Sequence, residues 1–223
     1  MLFCHDCSPV LPGQLQLFPQ TAFVAGCNLQ TTQSIDYAPL VPWLQGKASN
    51  VFTQFGEDGL IEAVFQRIGE KNRQCFEIGA ADGVFYSNTL RLRELGWKAC
   101  LMESDEKRFN QLVENFGAVS VCLHGLFTDL TQPLQQAEFD KTPDLGVIDI
   151  DGQDYWLWDC LKEYRPRVML VEIHPQDDEP LPPRDMAGQA GLNVIRRLGE
   201  SKEYTLVART YCNALFVGNE WLL

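Results

Sequence analysis

The stretch at residues 75–105 is CFEIGAADGVFYSNTLRLRELGWKACLMESD. It begins with a short apolar segment, 75–78, that ends at a glycine, and it finishes with a second apolar segment, 99–102. A helical pattern over 87–95 lies between the two segments. A strand, a helix and a second strand in this order form a βαβ unit, whose two strands are parallel. The stretch therefore predicts a parallel sheet whose ligand-binding edge follows residues 78 and 102.

The same alternation of apolar strands and amphipathic helices continues toward the C-terminus. Further strands are predicted over residues 118–123, 145–150, 168–173, 204–208 and 214–217. The last two form an antiparallel hairpin, whereas helices separate the others, which are therefore parallel. The chain is thus predicted to be an α/β protein with right-handed crossovers and helices on both faces of its sheet.

The N-terminal part of the chain has a different character. Residues 1–50 are rich in Pro, Gln and Thr without a sustained period, so they are predicted to form an irregular arm before a domain over 51–223. Within the arm, CHDC at 4–7 has half of the ligand spacing of a zinc knuckle. A structural zinc site needs four ligands, and because no second pair follows in the sequence, no metal site is predicted.

Composition excludes several classes of function. The 223 residues include 30 acidic and 18 basic side chains, for a net charge of −12. This balance argues against a nucleic-acid binder and against attachment to an anionic membrane. No apolar run approaches the ~18 residues of a spanning helix, and the N-terminus is a poor signal peptide. Four of the eight cysteines lie in apolar segments, which favours a reducing, cytoplasmic location.

Gly79 directly follows the first predicted strand. A glycine there lets the backbone approach a ligand closely. A dinucleotide fingerprint counted from Gly79 needs glycine at 81 and 84, where the chain has Ala81 and Val84. A pyrophosphate, and with it a nicotinamide cofactor, is therefore disfavoured. The acidic residues nearby suit a cofactor that carries an amino group, hydroxyls and a positive sulfonium, and a tight turn without a ligand is the alternative.

Glu103 ends the second predicted strand, 24 residues after Gly79. A carboxylate at this position can accept two hydrogen bonds from a ribose diol. A solvated strand end is the alternative interpretation. The glycine turn and the acid together favour the ribose-binding role.

A third group of candidates is DIDGQDY at 149–155. The strand period places Asp149 and Asp151 on one side of the strand end, at the edge where open α/β sheets bind ligands. Two carboxylates there are costly unless they are used. One would hold the cofactor amine or the acceptor, and the other would act as general base. Capping of the next helix is the alternative for Asp151 and the preferred interpretation for Asp154.

Two further possibilities concern the same edge. His174, in EIHP at 172–175, has a side chain that is a natural base near neutral pH, although a lone histidine is more often structural. It is the second choice for the general base, after Asp151. A divalent cation held by the two aspartates is possible but not favoured.

Five stretches together resemble the FkbM-type branch of S-adenosylmethionine-dependent methyltransferases. They are QFGEDGLI at 54–61, the stretch at 75–105, LGVIDIDGQDYWLW at 145–158, PRVMLVEIHP at 166–175 and CNALFV at 212–217. The resemblance spans residues 51–218. It implies a class I, Rossmann-like methyltransferase fold, with a seven-stranded, mainly parallel sheet. In such sheets the antiparallel last strand lies between the fifth and sixth strands.

The resemblance also implies S-adenosyl-L-methionine as cofactor, and O-methyl transfer to a hydroxyl of a sugar, a glycan or a similar small molecule. The cofactor-binding residues that it implies are Glu77, Gly79, Ala80, Asp82, Gly83, Asn88, Glu103, Ser104, Phe127, Thr128 and Asp149, with Gln54 at the pocket wall. Among them, Glu103 would take the ribose and residues 126–128 would flank the adenine. Asp151 would be the general base, with His174 and Asp149 as further candidates.

Two alternatives to this function remain open. One is a catalytically silent cofactor-binding module in a glycan-modifying assembly. The other is a nicotinamide oxidoreductase, which the missing glycines disfavour. Residues 175–185 and 188–191 are expected to shape the acceptor site, and Tyr155 and Trp156 offer a stacking face for a sugar or, equally, belong to the core.

Overall fold

The structure is a computed structural model, and it describes residues 37–184, 186 and 188–222. The CHDC motif at 4–7 and most of the predicted arm therefore lie outside the described residues.

Strands and helices alternate through most of the described chain. The strands are β1 (Tyr37–Pro39), β2 (Gln74–Ile78), β3 (Lys98–Glu103), β4 (Val121–His124), β5 (Leu145–Ile148), β6 (Val168–Glu172), β7 (Tyr204–Thr210) and β8 (Asn213–Gly218). The helices are α1 (Glu57–Ile68), α2 (Leu90–Glu94), α3 (Glu106–Phe116), α4 (Thr131–Gln136), α5 (Asp154–Cys160) and α6 (Leu192–Ser201). Short 3₁₀ turns occur at Pro42–Leu44 and Asn219–Trp221.

All eight strands form one sheet in the order β1-β7-β8-β6-β5-β2-β3-β4. The five strands from β2 to β6 pair in parallel, whereas β8 pairs antiparallel with both β6 and β7. The last strand is therefore inserted antiparallel between the fifth and the sixth strands of the predicted set. This arrangement confirms the predicted α/β class and its methyltransferase-like strand order.

The edge strand β1 is a difference from the prediction, because it makes the sheet eight-stranded instead of seven-stranded. It pairs antiparallel with β7, and Pro39 lies opposite Ala208. Proline is tolerated there because an edge strand has one side without ladder hydrogen bonds. Three residues are too few to show an alternating pattern, so the sequence gives no strand signal in this part of the arm. The domain boundary near residue 50 stays a prediction.

Both faces of the sheet are covered, which explains why the parallel strands are almost continuously apolar. On one face, Phe76 and Ile148 belong to a buried cluster with Trp158 of α5. On the other face, Val147 belongs to a second cluster with Leu60 of α1. Neighbouring residues of β5 thus point into different cores, as the two-residue strand period requires.

The helices are short, and a side chain at the N-terminus of one of them caps it. Asp105 caps α3, since its side chain accepts a hydrogen bond of 2.8 Å from the amide of Arg108. The longest described helix, α1, has 12 residues. None of the helices in the described part of the chain has the length and apolar character needed to cross a bilayer.

The main correction to the predicted elements concerns the end of β5. The strand stops at Ile148 instead of residue 150, because the backbone then turns through left-handed conformations at Asp151 (φ 57°) and Gln153 (φ 74°). Asp149 and Asp151 therefore follow the strand, and the strand period does not determine where Asp151 points. The helix α4 was also absent from the predicted set.

Candidate functional site

A cavity of about 950 Å³ lies where the carboxyl ends of β2, β3, β5 and β6 meet. Its wall includes the turns that follow these four strands, the segment after β4, and the side chains of Arg184 and Met186. Ligands of open α/β sheets bind at this edge, and pockets for small molecules occupy roughly 300–1,000 Å³. The cavity is therefore large enough for a nucleotide-sized cofactor together with a small acceptor.

The structure brings most of the predicted site residues to this cavity. Those that line it are Glu77, Gly79, Ala80, Asn88, Glu103, Ser104, Phe127, Thr128, Asp149 and Asp151, and Gln54 lines it as well. Both aspartates of the predicted pair thus face one cavity.

Gly79 is required by a backbone contact. Its φ is 83°, and a Cβ built on it would lie 1.7 Å from the carbonyl oxygen of Asp149. The amides of Gly79 and Ala80 both donate to the carbonyl of Met102 at 3.0 Å. The glycine therefore lets three strand ends converge, and the close approach predicted for a ligand is made by the backbone of Asp149.

Glu77 is a buried acid that fixes one segment of the cavity wall. It is 2% exposed, and its Oε2 accepts from the hydroxyls of Ser87 at 2.7 Å and Thr89 at 2.6 Å. Its Oε1 accepts from the amide of Asn88 at 2.7 Å. All three donors belong to residues 87–89, so this carboxylate holds that segment in place.

Asn88 in turn connects this segment to the turn after β5. Its Nδ2 donates to Oδ2 of Asp149 at 3.2 Å. Burial raises the pKa of Asp149 well above its usual value, and the charges of Glu172, Glu77 and Asp151 raise it further. A carboxyl group in this position is easier to ionise when a positive charge lies beside it.

Glu103 occupies the end of β3, with both oxygens facing backbone amides. Oε2 accepts from Ala81 at 2.8 Å, and Oε1 accepts from Ser104 at 2.7 Å and Asp105 at 2.8 Å. Oε1 also accepts from the hydroxyl of Ser104 at 3.5 Å. Within the described chain Oε2 accepts only from Ala81, and because a carboxylate oxygen has two lone pairs, Oε2 can accept one more hydrogen bond. Glu103 lines the cavity, and an acid that binds a ribose diol needs such an acceptor site.

The turn after β5 is organised by a second set of acids. The amide of Asp151 donates to Oε2 of Glu172 at 2.7 Å, while the side chain of Asp151 is exposed at the cavity. Asp154 accepts from the amides of Ile150 and Gly152, both at 3.0 Å. The expected capping role of Asp154 is therefore modified, because it binds the turn before α5 and not the first helical amides.

The pKa values of these acids reflect their burial. Desolvation raises the pKa of Glu172 to about 8, with a further contribution from the charge of Asp154. Desolvation likewise raises the pKa of Asp154 to about 7, although the amides of Ile150 and Gly152 oppose the change. Glu172, which lines the cavity, and the buried Asp154, which does not, consequently compete for ionisation near neutral pH.

Glu172 is the functional candidate that the sequence reasoning missed. It ends β6 and lines the cavity, as Glu103 does at the end of β3. The sequence contains a pattern that could have identified Glu172. It is an acid at the end of an apolar strand, at the edge predicted to bind ligands. The base predicted at this edge was instead His174, two residues further along the chain.

His174 is not among the residues that line the cavity. Its amide donates to the carbonyl of Ala190 at 3.0 Å, and it forms an isolated bridge with Gly191. Its Nδ1 accepts from the amide of Gln176 at 3.1 Å. The chain beyond β6 thus turns to pair with residues 190–191 and carries the imidazole away from the predicted position.

Asp82 and Gly83 also lie outside the cavity lining. Oδ1 of Asp82 accepts from the amides of Val84 at 2.9 Å and Phe85 at 2.8 Å, so this side chain closes a turn. A Cβ on Gly83 would lie 2.7 Å from the side chain of Leu112, so this glycine permits α3 to pack closely. The structure therefore does not bring these two predicted cofactor-binding residues to the cavity.

The segment after β4 forms another part of the wall, as predicted for the adenine side. Leu126, Phe127 and Thr128 line the cavity, and Leu126 is 90% exposed. The amide of Gly125 donates to the carbonyl of Glu103 at 3.1 Å, which ties this segment to the end of β3. An exposed apolar side chain beside the acid that was predicted to bind ribose suits the face of a base.

Of the residues predicted to shape the acceptor site, Arg184 lines the cavity, and Met186, just outside the predicted ranges, lines it as well. The side chain of Gln153 donates to the carbonyl of Met186, and the indole of Trp156 donates to the carbonyl of Pro182 at 3.2 Å. Trp156 also lines the cavity and is partly buried. This segment is therefore anchored on α5 beside the turn that carries the aspartates.

The acids of the QFGEDGLI stretch have structural roles. Oε1 of Glu57 accepts from the hydroxyl of Thr210 at 2.6 Å and from the amide side chain of Asn213 at 3.3 Å. Asp58 accepts from the backbone amides of three residues, at distances between 2.7 and 2.9 Å, over 51–53. These contacts hold the loop that brings Gln54 to the cavity.

The charged side chains that line the cavity indicate which kind of ligand it can bind. Six carboxyl side chains line it, those of Glu77, Glu103, Asp105, Asp149, Asp151 and Glu172, against two guanidinium groups, those of Arg108 and Arg184. Such a surface favours a cation and disfavours a pyrophosphate. These carboxyl side chains therefore suit a cofactor that carries a positively charged sulfonium. Within the described ranges, no group of three or more His, Cys, Asp or Glu side chains is arranged to hold a metal ion.

Comparisons with known proteins give only distant likenesses. No protein-family model and no curated protein sequence matches the chain. Among solved structures, one from Galdieria sulphuraria, described as a candidate sarcosine dimethylglycine methyltransferase, is 13% identical with a TM-score of 0.48. The match covers 67% of this chain and 62% of that protein.

Two other solved structures give similar values. An O-methyltransferase from Bacillus cereus in complex with SAH is 21% identical, with a TM-score of 0.43 and coverage of 70% of this chain and 77% of that one. Precorrin-6y C5,15-methyltransferase from Geobacter metallireducens is 12% identical, with a TM-score of 0.46 and coverage of 76% and 92%. Because each TM-score is below 0.5, the fold rests on the strand order of this sheet. Membership of the FkbM-type branch stays a prediction.

Proposed function

We propose that the chain is an S-adenosylmethionine-dependent O-methyltransferase that acts on a hydroxyl of a sugar, a glycan or a similar small molecule. The observation that supports this most directly is the convergence of Glu103, Asp149, Asp151 and Glu172 on one cavity at the carboxyl edge of the sheet. The antiparallel insertion of β8 in that sheet is consistent with the same class.

The cofactor side of the cavity follows from its acceptors. Glu103 accepts the ribose hydroxyls, and Asp149, oriented by Asn88, faces the positively charged part of the cofactor. Ser104 and residues 126–128 flank the base. When bound, S-adenosyl-L-methionine supplies a methyl group that its sulfonium activates for transfer.

The protein's part in the reaction is to orient the acceptor, exclude water and remove a proton. A sugar hydroxyl is a weak nucleophile, and a base within hydrogen-bond reach contributes a factor of about 10²–10⁴. Asp151 is the proposed base, because its carboxylate is exposed at the cavity and its backbone is fixed by Glu172. Asp149 and Glu172 are the next candidates, and the position of His174 gives it no support as the base.

The experiment measures transfer of labelled methyl from S-adenosyl-L-methionine to a panel of oligosaccharides and glycosides, with protein and RNA as controls. Asp151→Asn should lower kcat by at least about 10²-fold and leave binding of S-adenosylhomocysteine within about threefold. Asp140→Asn is the matched control, because Asp140 is exposed and bonds Asn72 outside the cavity.

The possible results separate the alternatives. Binding of S-adenosylhomocysteine without any methyl transfer would favour the catalytically silent module. Binding of NAD in place of S-adenosylhomocysteine would refute the proposed cofactor, and label found only in RNA or protein would refute the proposed acceptor. A cytoplasmic location is part of the proposal and rests on the sequence.

A further inference from the structure

Two aromatic side chains stand exposed at the cavity. Phe85 is 66% exposed and Tyr86 is 46% exposed, and both line the cavity. Their ring centroids lie 4.1 Å apart with an interplanar angle of 47°. Adjacent aromatic rings exposed at the wall of a cavity offer apolar area and a π face, and no other residue in the described part of the chain covers them.

The loop that carries the rings is tightly held. Besides accepting from the amides of Val84 and Phe85, Asp82 accepts through its carbonyl from Nδ2 of Asn115 at 3.0 Å. The amide of Gly83 donates to the carbonyl of Ala80 at 2.8 Å. The exposure of the rings therefore belongs to a defined loop, and it does not arise from a lack of local contacts.

Tyr86 adopts a conformation that its residue type disfavours. Its φ is 53°, in the left-handed region that bulky side chains rarely occupy. The next three residues are fixed by Glu77, which prevents relaxation on that side. Backbone strain kept next to an exposed ring points to a binding role for that ring.

The cavity as a whole is amphipathic. The carboxyls of Asp149, Asp151 and Glu172 form its polar floor, whereas the exposed side chains of Phe85 and Tyr86 form an apolar wall. A purely hydrophilic free sugar would use only the polar part. A molecule with a hydroxylated ring at one end and an aromatic ring at the other would use both.

We propose that Phe85 and Tyr86 form an acceptor subsite for an aromatic ring, so that the acceptor is a glycoside whose sugar hydroxyl is methylated while its aromatic aglycone stacks on this pair. This inference rests on the proposed function and specifies its substrate class. The sugar lies toward the carboxyl floor, and the aglycone lies along the apolar wall. The pair contributes to acceptor affinity and takes no part in proton transfer.

The test compares the affinities of p-nitrophenyl glycosides and methyl glycosides of glucose, galactose, mannose and rhamnose. Calorimetry with the full chain saturated with S-adenosylhomocysteine gives each dissociation constant without turnover. At least one p-nitrophenyl glycoside should bind about tenfold more tightly than the matching methyl glycoside, as expected for one stacked ring with its buried area. In the Phe85→Ala/Tyr86→Ala variant the two constants should converge to within about twofold.

Val84→Ala is the matched control, because Val84 lies in the same loop, is 44% exposed and is outside the cavity lining. It should keep the tenfold preference. Equal affinities for both glycoside series in the wild-type chain would overturn the inference, as would a preference that survives in the double variant. Loss of S-adenosylhomocysteine affinity in the double variant would place the rings against the cofactor and would equally overturn it.

Failure of the inference is distinguishable from failure of the proposed function. A wild-type chain that binds S-adenosylhomocysteine and methylates sugars without any aryl preference contradicts the subsite alone. A wild-type chain that does not bind S-adenosylhomocysteine contradicts the proposed function and the subsite together.

Discussion

Binding of the cationic cofactor is expected to release a proton from the floor of the cavity. Burial raises the pKa of Glu172 to about 8 and that of Asp154 to about 7. The pKa of Asp149 is also raised well above its usual value by burial, and the charges of Glu172 and Asp151 add to this effect. Asp149 and Glu172 line the cavity, so a sulfonium bound there favours their ionised forms and lowers their pKa values.

The size of the effect can be worked out for Glu172. With a pKa of about 8, the carboxyl is ionised in roughly one molecule in ten at pH 7 and roughly one in a hundred at pH 6. If the cation binds the ionised form, the dissociation constant of S-adenosylmethionine falls about tenfold for each pH unit between 6 and 8 and then levels off. Affinity is thus gained as pH rises through the pKa of the empty site. S-adenosylhomocysteine has no sulfonium charge, so its constant should change by less than about threefold.

The assay is titration calorimetry of both ligands between pH 6 and 8.5, in pairs of buffers with different ionisation enthalpies. Near pH 6.5, binding of S-adenosylmethionine should release about one proton, and Glu172→Gln should reduce this release and flatten the slope. Glu163→Gln is the control, because Glu163 forms an exposed ion pair with Lys141. Identical pH dependence of the two ligands, or no proton release at pH 6.5, would refute the reasoning.

Two further predictions concern stability and are measured by urea unfolding. Gly79→Ala should lower the free energy of unfolding by more than about 2 kcal/mol, because it combines a left-handed backbone with a Cβ 1.7 Å from the carbonyl oxygen of Asp149. Gly96→Ala, at a similar φ but with nothing within 4 Å, should cost only about 1 kcal/mol, and equal losses would contradict the clash. Asp144→Ala should cost about 3–5 kcal/mol, because it leaves the buried guanidinium of Arg167, 2.7 Å away, without its partner. A loss below about 1 kcal/mol, as expected for an exposed pair, would show that this buried pair is not needed.

The sheet was predictable because its parallel strands are buried on both faces. In a chain of this length, continuous apolar runs such as 145–148 and 168–171 indicate strands that are covered on both faces. The hairpin of β7 and β8 was found from two apolar runs around polar residues 209–213. The edge strand β1 was not predictable in the same way, since three residues paired with one neighbour leave no period in the sequence.

The candidate site was predictable in its location and less so in its individual residues. The rule that ligands bind at the carboxyl edge correctly placed Glu103, Asp149 and Asp151 at one cavity. It could not show that Asp82 closes its own turn, because that depends on local backbone geometry. Nor could it show that the chain after β6 turns back toward residues 190–191 and takes His174 with it.

The acids at the strand ends illustrate why the bonding partners of a residue must be known before it is given a role. Glu77, Glu103 and Glu172 occupy similar positions in sequence, each at the end of an apolar strand. The three donors to Glu77 all belong to residues 87–89, whereas the backbone amides that donate to Glu103 belong to residues 81, 104 and 105. Glu172 accepts from the backbone amide of Asp151 and from the side chain of Gln189, and burial still raises its pKa to about 8. Asp149, which accepts from the side chain of Asn88, also has a pKa that burial raises well above its usual value. Acids that carry this cost of burial are stabilised when a cation arrives, so Asp149 and Glu172 are where the charge of the cofactor should have its largest effect.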